Sequence, residues 1–126
     1  MRFAVVCGGL SGLIAIVLTA WAAHGLGTIV GPEDLERIVV GTRLQIWHAL
    51  ALLVVGALAA VRPARMLDYT IWAFVLGTIL FSGNLYLRVF TGSTALSFVT
   101  PLGGITLMVG WLLLVWYGLK QRRRNP

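Results

Sequence analysis

Two histidines, His24 in "TAWAAHGLG" and His48 in "RLQIWHALALL", are the only ones in the chain. Each sits at the edge of a long apolar run. An imidazole there can carry a proton, bind a metal or serve as an axial haem ligand. Gln45, Ser82, Asn84, Tyr86, Arg88 and Thr100 are further polar groups within or beside apolar runs. Such groups are costly in hydrocarbon and normally face a partner or a cavity. Gln45 and His48 are three apart and share a helix face, and Asn84 and Arg88 are four apart with Phe81 a turn deeper. The expectation is one polar pocket beneath the outer surface that collects all eight residues. In it the two imidazoles lie within one helix-packing distance, about 8–10 Å between axes.

Metal chemistry does not fit this set. Catalytic zinc usually has three protein ligands, and the outer acidic residues lie in a loop rather than at helical offsets from a histidine. No CxxCH haem-attachment motif occurs, so no cofactor is expected. A simpler use is open for each histidine. His24 can end a helix at the interface with Gly25 turning the chain, and His48 can make an interhelical hydrogen bond of about 1 kcal/mol.

The elements that position these residues follow from composition. The chain has 126 residues, 59% hydrophobic and 11% charged, with a mean hydropathy of +0.91. A soluble domain carries about a quarter charged residues, so the chain reads as a single membrane domain. Four segments match the roughly 20 residues that cross a bilayer: 3–23, 44–61, 69–90 and 102–119. The fold class is therefore an all-α membrane protein, a four-transmembrane-helix bundle. The first segment also resembles a signal peptide, but its length exceeds the usual h-region of about 7–15 residues, so it reads as an uncleaved helix. Cys7 is the only cysteine, and its expected role is packing.

Basic residues set the orientation. Arg2, Arg62, Arg65, Lys120, Arg122, Arg123 and Arg124 fall on one side of the four spans, and Arg37, Arg43 and Arg88 on the other. By the positive-inside rule both termini face the cytoplasm. The basic tail 120–126 suits anionic lipid head groups, and it lacks the interleaved aromatics of a nucleic-acid surface. Membrane lipids are thus expected partners and nucleic acid is not. Between the first two spans, "GPEDLERIVVGTRLQ" opens with Pro32 followed by Glu33, Asp34 and Glu36, a helix N-terminus. It suggests a short amphipathic outer helix running into the second span.

Small residues mark the faces for helix packing in lipid. Gly8 and Gly12 make a GxxxG step that Ala15 continues, Gly56 and Gly77 sit in the second and third spans, and Gly103, Gly104 and Gly110 in the fourth. The pattern suits packing within one bundle or self-association equally.

Four blocks in order, "AAHGL", "LQIWHALALL", "FSGNLYL" and "TPLGG" with a following "GW", resemble the YgdD-like family of small inner-membrane proteins. Its animal relatives are called transmembrane protein 256, and it is filed as domain of unknown function 423. The resemblance runs over roughly residues 8–117. It implies a multi-pass protein of the cell inner membrane with no established activity. The family's characteristic groups fall on Ala23, His24, Gly25 and Leu26, on Gln45, His48 and Ala49, on Phe81, Ser82, Gly83, Leu85 and Tyr86, and on Thr100, Pro101, Gly103 and Gly104. Leu44, Thr19, Ala22, Asn84 and Arg88 depart from the family pattern.

Three functions compete. The leading one is a non-catalytic structural or accessory component of a membrane assembly, within a larger complex or a homo-oligomer, for which the small size and small-residue faces speak. A second is a quinone-, proton- or small-molecule-handling protein using a pocket around His24 and His48. It lacks a nucleophile, a carboxylate pair and a cofactor motif. The third is an oligomeric channel or transporter, against which counts the want of a polar stripe through both leaflets.

Overall fold

Apolar runs bounded by proline, glycine and charge fold here into long helices. The computed structural model describes residues 1–124 and shows α1 (Arg2–His24), a 3-10 turn (Leu26–Thr28), α2 (Pro32–Val61) and α3 (Arg65–Thr78). A π-helical turn (Ile79–Gly83), α4 (Asn84–Thr91) and α5 (Val99–Arg124) follow. α3, the π-turn and α4 form one continuous rod, so four of the described helical units are long and apolar enough to cross a membrane. Their outward surfaces are apolar, with Leu13, Ile16, Val54, Ile79, Met108 and Leu112 all exposed.

α2 begins at Pro32, twelve positions before the expected start of the second span at Leu44. The short outer helix expected there is no separate element: its residues are the first three turns of α2. Pro32 fits the first helical turn because its missing N–H needs no partner there. Glu33 and Asp34 face the positive end of the helix dipole, and Arg37 pairs with Asp34 at 2.6 Å. Backbone hydrogen bonds run straight through the break in hydropathy at Arg37 and Arg43. At the other end Pro63 separates α2 from α3. Gly92 closes α4 with φ +70, the left-handed conformation that a side chain would disfavour. α5 continues past the expected span end at Leu119 through the basic residues to Arg124. Asn125 and Pro126 of the tail lie outside the described residues.

The helices pack in chain order, α1 on α2, α2 on α3, α3 on α5. Small residues let the backbones approach. Gly56 meets Ala4, Gly8 meets Ala49 and Leu53, Gly77 meets Leu107, and Gly110 meets the Phe74 ring. Gly103 lies directly against the backbone of Leu80 and Phe81 in the π-turn. Gly12 and Ala15 continue the α1 face, with Ala15 fully buried. Gly104 is in looser contact with the Phe81 ring. One apolar cluster, including Leu52, Leu67, Phe74 and Leu107, fills the end of the bundle near the termini. A smaller one, Leu26, Ile38 and Val89, fills the end near the α1–α2 and α4–α5 connections, the loop end.

A groove between α1 and the α3–α4 rod

The eight polar residues expected in one pocket fall into separate places. α1 and α2 run antiparallel, with Ala4 opposite Gly56, Gly8 opposite Leu53 and Gly12 opposite Ala49. His48 is therefore level with about Gly12, and His24 lies twelve positions further along α1, roughly 18 Å away at 1.5 Å per residue. That is too far for the two imidazoles to share a ligand. His24 ends α1 as an exposed side chain. Gly25 closes the helix through its own N–H to Trp21 O, with an extended φ of −171.

His48 is buried on the side of α2 that faces α3 and α5. Its Nδ1 is 2.7 Å from the Leu44 carbonyl and must donate there, while its Nε2 accepts from Trp111 Nε1 at 3.0 Å. These contacts fix the neutral tautomer with the proton on Nδ1. The ring also packs edge-on to Phe74, with centroids 5.2 Å apart. Both nitrogens are engaged, so His48 is a tie between α2 and α5 rather than a free base. Trp111, which the sequence reading passed over except as part of a family block, supplies the other half of the tie.

Asn84 is engaged at the α4–α5 connection. Its Nδ2 donates to Leu96 O at 2.9 Å and to Thr100 Oγ1 at 2.8 Å, which pins residues 96–100 against α4. Arg88 lies at the loop end, in a polar hollow with Glu33, Asp34, Arg37 and Thr94. The remaining three residues do come together. Tyr86 donates to Gln45 Oε1 at 2.6 Å, Gln45 Nε2 donates to Ser11 O at 2.9 Å, and Ser82 donates to Gly41 O at 2.7 Å. Gly41 is needed there, since a Cβ would fall 2.6 Å from Tyr86 Cε1.

Helical phase explains the separation. Ser82 and Tyr86, four apart, point to α2, while Phe81, whose ring meets Gly104, and Asn84 point to α5, and Arg88 lines a small hollow with Asn84, as their spacing predicts. A π-turn, a feature frequent at functional sites, lies where α5 presses Gly103 against Leu80 and Phe81.

This cluster supplies part of the floor and of one wall of a groove. The α1 backbone rests on α2 and reaches the α3–α4 rod through two aromatic pairs, Phe3 with Trp72 near the termini and Trp21 with Phe90 at the loop end. Their centroids are 4.9 and 5.6 Å apart. Between them is a cavity of about 360 Å³, within the common size range of small-molecule sites. Cys7, Leu10, Ser11 and Ile14 line one wall, Val75, Thr78, Ile79, Ser82, Gly83 and Tyr86 the other, and Gln45 and Leu52 the floor. Leu10, Ile14 and Ile79 at the rim are exposed on the apolar outer surface, so the groove opens sideways toward lipid. No charged residue lines it. Ser11 Oγ and Thr78 Oγ1 are buried without a hydrogen-bond partner. Leaving such a group unpaired costs about 1–3 kcal/mol.

Among relatives, an inner membrane protein YgdD of Escherichia coli K12 is 33% identical over 98% of this chain and 95% of its own length. A membrane protein of Haemophilus influenzae is 35% identical over 90% of each chain. The family model described as "Protein of unknown function (DUF423)" matches residues 18–104. The chain belongs to this family. A Staphylococcus aureus membrane protein of the same UPF0382 group is 31% identical over 91% of the chain and 93% of its own length. No solved structure matches. As a member of the DUF423 family, the chain is a membrane protein with no established activity. The matched segment takes in Gln45, His48, Ser82, Tyr86 and Thr78 but leaves out Ser11 and Trp111. In the sequence Ser11 stands out only as one of the few polar-leaning groups of the first span and as a small residue on its packing face, and Thr78 and Gly41 gave no signal. Their roles come from which helices happen to be opposite them.

Proposed function

We propose that the protein is a non-catalytic component of the inner membrane that works by binding, as an accessory partner in a membrane assembly, and that the groove is its binding site. The observation that carries this reading is the framed cavity itself: apolar walls, a hydrogen-bonded polar floor and an open side toward lipid. A small, mostly apolar cavity with a few convergent polar groups is the ordinary form of a ligand site. The orientation with both termini in the cytoplasm belongs to the same reading, on the strength of seven basic residues at that end against three at the other.

Gly83 supplies the test. It lines the groove, yet a Cβ there meets nothing within 4 Å. Gly83→Leu should fill the groove and leave the helix packing intact. Native mass spectrometry of protein drawn from its own membrane in mild detergent should show a bound species in the wild type that the variant lacks, together with any partner chain. An identical complement of bound molecules in both would refute the groove as the working site.

A further inference from the structure

Resting on the groove as the binding site, we infer that its occupant is a neutral lipid-like molecule whose carbonyl oxygen accepts hydrogen bonds from Ser11 and Thr78. Three buried side-chain oxygens lack a partner among the described residues, those of Ser11, Thr78 and Tyr117. The first two line the same cavity from opposite walls. Their condition is unusual in this protein: the hydroxyls of Thr19, Thr42, Thr70 and Thr106 each donate to a carbonyl of their own helix. The other polar groups of the groove are already committed, because Gln45 is held by Tyr86 and by the Ser11 carbonyl. What remains is two spare donors in an apolar chamber.

A carbonyl oxygen has two lone pairs and brings no proton of its own, so it satisfies both donors at once. The absence of charge among the lining residues favours a neutral molecule over an anionic phospholipid head. Ser11 and Thr78 also lie near the middle of their spans, far from the bilayer surface where charged heads reside. A partner helix does not fit. Helix pairs pack along continuous faces with axes about 8–10 Å apart, and here the two aromatic pairs close the groove above and below. A window of about 360 Å³ takes a ring or a short length of chain. The shared chemistry is a carbonyl on an apolar body, as in a prenyl quinone or a neutral glyceride ester.

The full-length protein in detergent is photolabelled with a monoacylglycerol that carries a diazirine in its tail, and adducts are mapped by peptide mass spectrometry. Competitors are unlabelled monoacylglycerol, a short-tailed prenyl benzoquinone, and a monoalkylglycerol ether that differs from the ester only in lacking the carbonyl. Adducts should concentrate on residues 7–14 and 75–86. The ether should compete about tenfold less well than the ester, and Ser11→Ala with Thr78→Val should cut labelling about tenfold. Thr78→Ser in place of Thr78→Val should restore part of it. Neither hydroxyl has an internal partner, so the double variant should keep its helical content and unfold at or above the midpoint of the wild type. Stronger competition by the quinone assigns the carbonyl to a quinone, and stronger competition by the ester assigns it to a glyceride. Adducts in the groove with ester and ether equal, or with the double variant unaffected, overturn the carbonyl inference and leave the groove standing. Adducts spread evenly over the outer faces of all helices overturn both.

Discussion

Replacing Gly103 by alanine should part α5 from the π-turn. A Cβ at Gly103 would lie 2.8 Å from both Leu80 C and Phe81 Cα, and closer still to Phe81 N. Carbon atoms in comfortable contact are about 3.5–4.0 Å apart, so the seam must open by about 1 Å. All three obstructing atoms are backbone, and no rotamer change relieves them. Overpacking costs about 1–3 kcal/mol, and a backbone obstruction belongs at the upper end, about 3 kcal/mol. Alanine returns about 1 kcal/mol through its better helix propensity, which leaves a net loss of about 2 kcal/mol. The neighbouring Gly104 is the control, since a Cβ there meets only Phe81 ring atoms at 3.8 and 3.9 Å. Gly9, with nothing within 4 Å, is a second. Unfolding by SDS titration in mixed micelles, followed by circular dichroism, should show Gly103→Ala destabilised by about 2 kcal/mol and both controls unchanged or up to about 1 kcal/mol more stable. If Gly103→Ala and Gly104→Ala agree within about 0.5 kcal/mol, the close seam between α5 and the π-turn is wrong, because the added methyl then meets no backbone to overpack against.

Two further outcomes follow from the hydrogen bonds. Trp111→Phe removes the donor to His48 Nε2 while keeping an aromatic ring against Phe74; it should cost about 1 kcal/mol, and a double-mutant cycle with His48→Phe should give a coupling of about 0.6–1.7 kcal/mol, where zero coupling would dissolve the tie. Asn84→Ala frees Leu96 O and Thr100 Oγ1, so amide exchange over residues 92–99 should quicken while the α1–α2 pair is unchanged, and equal protection in variant and wild type would show that Asn84 does not hold the connection.

What the sequence made legible and what it hid divide along one physical line. Apolar runs long enough to span a bilayer are a property of composition, and the four spans could be read from it. Depth was harder. His24 and His48 each border an apolar run, but the run containing His48 starts where charge stops rather than where the helix starts. α2 had already turned for three turns, because main-chain hydrogen bonding continues past Arg37 and Arg43. The level of His48 is instead fixed by the antiparallel register of Ala4 on Gly56 and Gly12 on Ala49, a pairing between distant small residues that no local pattern announces. The dispersal of the polar residues has a second cause. Phe81, Asn84 and Arg88 keep the shared face that their spacing gives, with Phe81 on Gly104, Asn84 on Thr100 and Arg88 beside Asn84 in a hollow at the α4–α5 connection. Ser82 and Tyr86 share the opposite face, on α2, so the rod divides polar residues that depth alone had merged into one pocket, and only the α2-facing set reaches the groove.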